Sequence, residues 1–248
     1  MTRQRTITNE ESGTSIEEIA DDTFRISTPV APELIPGGFT FNQFLIVDDD
    51  PLLFHTGPRG MFPLTRQAVE QVLPLDRLRY ISFSHVESDE CGALNDWLRA
   101  APDSQPLCSD IAAMVSVNDL ADRAPRVVGD GDRVSLGRHQ LRWLATPHLP
   151  HNMECGYLFD ESTHTLLCGD LFTQSGHEAP AVTTSADAIW EPSEVMRAAF
   201  PYAGLRDVAP LIDKLADTKP KLLACMHGSS FRGDGAALLG RLGDALTA

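Results

Sequence analysis

The sequence predicts an α+β protein in which two mixed β-sheets pack face to face with helices outside. Two observations predict it. Short apolar runs alternate irregularly with helical patterns and include several hairpins, an order that does not suit a purely parallel, doubly wound sheet. Residues able to carry chemistry fall just after apolar strands, at His85, His148, Asp170 and His227, where a rigid scaffold holds active-site loops. The 248 residues, 42% of them hydrophobic, suffice for one large domain. Residues 1–15 are expected as an N-terminal arm and 16–248 as that domain, since no Gly/Ser-rich linker divides them.

The elements follow in order. Residues 16–60 read as β-rich, with the apolar runs FLIV and PLLFHTG split by the acidic turn DDD. TRQAVEQVL has helical spacing, and LRYISFSH reads as a buried strand ending at His85. GALNDWLRAA predicts a helix, PLCSD a short strand, and IAAMVSVNDLAD a further helix. RVSLGRHQLRWLATPH alternates across a turn at Gly137 as a hairpin does, and ECGYLFDESTHTLLCGD gives two more strands joined by DESTH. After a loop-rich segment to about Pro192, EPSEVMRAAF and LRDVAPLIDKLAD read as helices. KLLACMH is a last strand and GAALLGRLGDALT a closing helix.

The formal net charge of −15 argues against nucleic acid and anionic membrane surfaces as partners, because both would repel the chain. No stretch approaches the roughly 20 apolar residues of a membrane helix. The first residues lack the apolar core of a signal peptide, so a cytoplasmic protein acting on small molecules is expected. The five cysteines are odd in number and form no CxxC pair, which counts against a disulfide scaffold and a four-cysteine zinc site. Cys168 and Cys225 read as small buried hydrophobes, and Cys91, beside Glu90, as the thiol nearest any metal.

The strongest local signal is Ser84-His85-Val86-Glu87-Ser88-Asp89-Glu90-Cys91-Gly92. Four possible ligands, His85, Glu87, Asp89 and Glu90, crowd into one short loop after a buried strand. Alternate side chains can aim at one point while Asp89 and Glu90 reach a second, which suits two metals about 3.5–4 Å apart. Taken alone, the segment also reads as a solvated acidic loop with an incidental histidine. His148 in TPHLPHN, Asp170 in LLCGD and His227 in LLACMHG each have an ordinary explanation too. Their joint order along the chain is harder to dismiss, and a carboxylate after an apolar strand and a glycine, as at Asp170, can bridge two cations. His151 shares one short loop with His148 and could take its place. His177 reads either as a pocket-wall residue that donates a proton or supports a ligand, or as a plain surface histidine, and His55 either as a residue ordering a turn near the site or as a packed polar residue.

The succession HxExDE, TPH, GD and a terminal HG resembles the metallo-β-lactamase superfamily, whose hydrolases show HxHxDH and then His, Asp and His. Glu87 in place of the second histidine resembles one branch, the lactamase-like domain of flavodiiron proteins and the related oxygen-binding diiron proteins, which shows HxExDH. FNQFLIVDD, GDLFTQSGH and His148-Leu149-Pro150-His151-Asn152-Met153, similar to a family HWPDSM, extend the match from about residue 15 to 240. The resemblance implies an αβ/βα sandwich with two metal sites. One would take His85, Glu87 and His148, the other Asp89, Glu90 and His227, with Asp170 bridging; the HLPHNM match favours His148 over His151.

A carboxylate at Glu87 hardens the first site toward iron or manganese, with zinc as the further alternative. Two iron ions are therefore expected, on a protein that binds or reduces O2 or NO. The alternative is a hydrolase of a thioester, phosphoester or lactone. Two departures stand out. Glu90 occupies a position where the branch carries histidine. No flavodoxin-like stretch follows in this sequence, so an external redox protein is expected as donor, and a homodimer is compatible with the resemblance.

Overall fold

A run such as FLIV can stay apolar throughout only if both faces of its strand are covered. A computed structural model of the protein, describing residues 4–248 apart from residue 205, shows that arrangement. Phe44 and Ile46 join an apolar cluster between two sheets, while Leu45 joins a separate cluster on the outer face. The first sheet is built in chain order from β1 (Thr6–Asn9), β2 (Thr14–Ala20), β3 (Thr23–Val30), β4 (Phe39–Ile46), β5 (Leu52–Phe54), β6 (Tyr80–Ser82), β7 (Gln105–Ser109) and β8 (Arg126–Val128). Its pairs are antiparallel to β5 and parallel from there to β8. The second sheet comprises β9 (Arg133–Ser135), β10 (Gln140–Ala145), β11 (Gly156–Asp160), β12 (Thr165–Leu167), β13 (Val182–Thr183), β14 (Leu222–Ala224) and β15 (Ser230–Arg232), in the order β13-β15-β14-β12-β11-β10-β9.

Helices cover both outer faces. α1 (Phe62–Val69), α2 (Ser88–Cys91) and α3 (Leu94–Ala100) follow β5 and β6. α4 (Asp110–Ala112) runs through a π-helical turn at Ala113–Val117 into α5 (Asn118–Leu120). Ala68, Val69, Trp97 and Leu98 pack with Phe24, Ile26, Leu45 and Ile81 outside the first sheet. α6 (Ala186–Ala199), α7 (Ala209–Ala216) and α8 (Gly235–Thr247) bring Ile189, Ile212, Leu215, Leu239 and Leu242 onto Phe159, Leu166 and Leu223 outside the second. Trp143, Leu141, Leu158 and Leu222 fill the space between the sheets with Phe44 and Phe54. The result is the expected two-sheet α+β sandwich flanked by helices.

Several boundaries differ from the sequence reading. Residues 6–9, expected within an arm, form edge strand β1, paired with β2 across a tight turn; residues 1–3 of that arm lie outside the described residues. α6 begins at Ala186 and not near Glu191, because the Ser185 hydroxyl caps it by accepting from the Ala188 N–H at 3.2 Å. Of the helix expected over 205–217, residue 205 lies outside the described residues, and regular helix starts at Ala209. β8, β13 and β15 were not expected; they hold only two or three residues each.

Candidate metal centre

Four strands deliver the site. β6, β10, β12 and β14 end at Ser82, Ala145, Leu167 and Ala224, and the segments beyond them converge at one edge of the sandwich. Gly169 makes one approach possible: at φ +47° its backbone is left-handed, and a Cβ there would lie 2.8 Å from Ser84 Oγ and 2.9 Å from the Tyr157 ring. The turn that carries Asp170 can therefore lie directly against the turn that carries His85.

The side chains meet in two groups, His85, Glu87, His151 and Asp170 in one and Asp89, Glu90 and His227 in the other. Within each group the candidate ligand atoms all lie within 4.8 Å of one another. His85 Nε2 is 3.1 Å from Glu87 Oε2 and 3.7 Å from Asp170 Oδ2. His151 Nε2 is 3.0 Å from Glu87 Oε2, 3.6 Å from Asp170 Oδ2 and 2.8 Å from His85 Nε2. On the other side, His227 Nε2 is 3.4 Å from Asp89 Oδ2 and 3.2 Å from Asp170 Oδ1. Asp170 thus turns one oxygen to each group.

One expectation needs correcting. His148 belongs to neither group; it is exposed, and His151 stands where it was expected. The loop explains the exchange. His148 and Asn152 both adopt left-handed backbone, at φ 64° and 63°, and the His148 N–H donates to the Asn152 carbonyl at 2.7 Å. This closed turn throws His148 outward and presents His151 to Glu87. His177 also lies elsewhere, packed over Gly38.

Hydrogen bonds fix which imidazole nitrogens face inward. The Thr40 carbonyl can only accept, so His227 donates its Nδ1–H to it at 2.7 Å and turns Nε2 to the carboxylates. Ser84 Oγ lies 2.9 Å from His85 Nδ1 and 3.1 Å from His55 Nε2. His55 Nε2 also accepts weakly from the Ser84 N–H at 3.4 Å, so its proton sits on Nδ1, toward the Met226 sulfur at 2.9 Å. Ser84, Thr40 and this buried His55 were not assigned such roles from the sequence. The position of Ser84, one residue before His85, signalled its place, and His55 was read as near the site, but nothing in the sequence pointed to Thr40.

The electrostatics ask for cations. Burial alone would lower the His227 pKa, but Asp170 and Asp89 outweigh it and raise the value to about 10. The hydrogen bonds from His151 and His85 draw the half-exposed Glu87 down to about 2. Burial raises Asp170, yet its contacts with His227, His85 and His151 leave it well below the usual carboxylate range. Glu90 is the exception. Its carboxylate is fully buried and neither oxygen has a hydrogen-bond partner among the described residues. Burial first, then the charges of Asp170 and Asp89, push its pKa well above the usual range. A buried, unpartnered acid beside other carboxylates calls for a proton or a cation, and this donor set of three imidazoles and four carboxylates fits hard divalent metals. Cys91 belongs to neither group, and burial raises its thiol to about 12. Cys168 and Cys225 are buried, with sulfurs 3.7 Å apart.

The sequence profile described as ODP family beta lactamase matches residues 39–228, which include every residue of both groups. The chain belongs to this family. Among relatives of this ODP-family chain, a nitric oxide reductase of Moorella thermoacetica is 30% identical over 120 residues, 47% of this chain and 30% of that protein. A coenzyme F420H(2) oxidase of Methanothermobacter marburgensis is 30% identical over 136 residues, 49% of this chain and 34% of the relative. The matched stretch thus spans about a third of each relative's length. In fold, the ODP-family chain superposes on a metal-soaked Flv1 flavodiiron core from Synechocystis sp. with a TM-score of 0.78 at 22% identity, covering 98% of this chain and 61% of that one. It likewise matches the rubredoxin oxygen:oxidoreductase of Desulfovibrio gigas with a TM-score of 0.76 at 19% identity, covering 94% and 61%. The metallo-β-lactamase-like sandwich of flavodiiron cores is the fold of this protein.

Proposed function

We propose that this ODP-family chain holds two iron ions and binds or reduces O2 or NO with electrons from an external redox protein. The observation that carries the reading is Asp170, with one oxygen toward each of two ligand groups. His85, Glu87 and His151 would hold one ion; Asp89, Glu90 and His227 would hold the other. Bound iron would supply reversible one-electron chemistry and open positions for a diatomic ligand.

The chain's own residues do the rest. Thr40 and Ser84 fix the His227 and His85 rings, so that each presents Nε2. A cavity of about 550 Å3 leads to the site, walled by Phe39, Met196, Phe200 and Tyr202 above His151 and Asp170. Arg197, Ser193 and Thr173 add polar groups to these apolar walls, and the cavity is wide enough to admit a small molecule. Tyr202 steadies the Asp170 turn, accepting the Phe172 N–H at 3.2 Å and donating to the Asp170 carbonyl at 3.4 Å. Among the described residues no helix is long and apolar enough to cross a membrane, and action in the cytoplasm, as monomer or homodimer, belongs to the same proposal. Hydrolysis of a thioester, phosphoester or lactone finds no support among the matched relatives, whose names describe redox activities.

Metal analysis with a visible spectrum tests the reading. Protein loaded with ferrous iron without air is expected to hold two irons per chain and to develop ligand-to-metal absorption on exposure to NO or O2. A colourless protein that prefers zinc and does not respond to either gas would overturn it.

A further inference from the structure

The inner face of the first sheet changes character along its length. Ile16, Phe24, Ile26 and Leu45 point to the outer cluster, so the alternating positions face the second sheet. There Phe44 and Ile46 are apolar, as the middle of a sandwich requires, but Ser15, Arg25, Ser27 and Thr40 are polar and buried. With His177 and Arg5 they line a chamber of about 700 Å3.

Arg25 is the feature that needs an explanation. It is 4% exposed, and its one hydrogen bond among the described residues runs from Nη2 to the Gly228 carbonyl at 2.9 Å. The buried Nε–H has no hydrogen-bond partner among the described residues. Glu17 is its cross-strand neighbour but acts on it only through space, and Arg5 repels it. Burial pulls the guanidinium down to about 10, which leaves it charged at neutral pH. A buried, unpaired charge is costly unless a counter-ion meets it.

We propose that this chamber is a second binding site, for a compact oxyanion of the carboxylate or phosphate class, seated against the edge of the Arg25 guanidinium that lines it. Arg5, whose Nε donates to Ser15 Oγ at 3.2 Å, supplies a second cation, and the Ser27 hydroxyl and the His177 ring supply polar contacts. Glu17 and the exposed Glu178 also line the chamber and exclude extended polyanions. The occupant would bear on the metal-site residue His227. Arg25 holds the Gly228 carbonyl, while Thr40 accepts from the Gly228 N–H and the His227 Nδ1–H, both at 2.7 Å.

The test uses the full chain stripped of metal, so that its outcome is independent of the iron reading. Inorganic phosphate and formate are titrated at constant ionic strength, with chloride as control. The Arg25 Nε–H resonance and the melting temperature are followed. A saturable shift of that resonance with a rise in Tm is expected for at least one oxyanion, weakened roughly tenfold or more in Arg25→Met by loss of a charge-assisted hydrogen bond. Ser27→Leu, which fills the chamber and keeps the guanidinium, should also abolish the response and decides the matter if Arg25→Met does not fold. An Arg25 resonance that ignores both oxyanions, a shift that chloride reproduces, or binding that survives Ser27→Leu overturns the proposal.

Discussion

At the scale of single residues, Asp170 and the histidine loop divide the labour of the proposed metal site. Asp170 faces both groups, so Asp170→Ala is expected to remove both metals, while His151→Ala costs only the ion shared with His85 and Glu87. His148→Ala should leave the stoichiometry at two, because that side chain is exposed. Metal content measured after gel filtration checks all three; a doubly metallated Asp170→Ala protein, or metal loss in His148→Ala, contradicts the assignment. Glu90→Ala should weaken the second metal at least tenfold, since the buried carboxylate has no hydrogen-bond donor among the described residues and a cation would take that place. Most of this site was legible in the sequence, because His85, Glu87, Asp89 and Glu90 share one loop and Asp170 and His227 close apolar strands. The choice between His148 and His151 was not. It depends on two left-handed residues in one turn, and neither His148 nor Asn152 announces that conformation by type. Arg25 was illegible for a related reason: strand periodicity assigns it a face but not a depth.

At the scale of elements, strands carried by an apolar run or a hairpin pattern were read correctly, and β1, β8, β13 and β15 were missed. The hairpin about Gly137 and the pair joined by DESTH appear as β9–β10 and β11–β12, with Leu141 opposite Val134 and Leu158 opposite Leu167. By contrast β13 is a strand only through its pairing with β15, and β15 only through its pairing with β14 and β13, a tertiary cause that no local window carries. The start of α6 was missed because Pro192 looked like a boundary, whereas the helix runs through it from a Ser185 cap. Ser185→Ala should therefore destabilise the protein by about 1 kcal/mol, read from the midpoint of chemical denaturation at unchanged slope. Gly169→Ala should cost more, about 2 kcal/mol or above, because it adds left-handed strain to a Cβ contact with Ser84 and Tyr157. A Gly169→Ala protein with wild-type stability and metal content would show that the turn does not need its glycine.

At the scale of the whole molecule, the two sheets are tied by apolar packing in the middle and by polar contacts around it. Asn42 and Arg25 reach from the first sheet to the backbone at Cys225 and Gly228 beside the proposed centre. Elsewhere, Asp48 after β4 accepts the His139 N–H at 2.7 Å, and His139 Nδ1 lies 2.7 Å from Asp160 Oδ2 within the second sheet. This last pair makes a pH prediction that does not involve the metals. Burial opposes a charge on His139, but the Asp160 hydrogen bond and the charges of Asp160 and Asp48 outweigh it, against a small contrary effect of Arg138, and its pKa rises above the ordinary 6.5. Burial likewise opposes the Asp160 charge, but hydrogen bonds from His139, Thr163 and the Ser162 backbone hold its pKa below the ordinary 3.8. A group whose pKa is raised by folding stabilises fully below its unfolded value and ceases to do so as pH climbs through its folded value. A carboxyl whose pKa is lowered by folding stabilises above its unfolded value, and the gain disappears as pH falls through the folded one. The pair therefore contributes most between pH of about 4 and 6.5. His139→Gln should remove the decline on the alkaline side while leaving metal stoichiometry unchanged. Urea denaturation of metal-free wild type and variant at pH 5.5 and 8.5 measures it: the stability gap should be larger at the lower pH, and an equal gap at both would show that His139 is not charged in the folded protein.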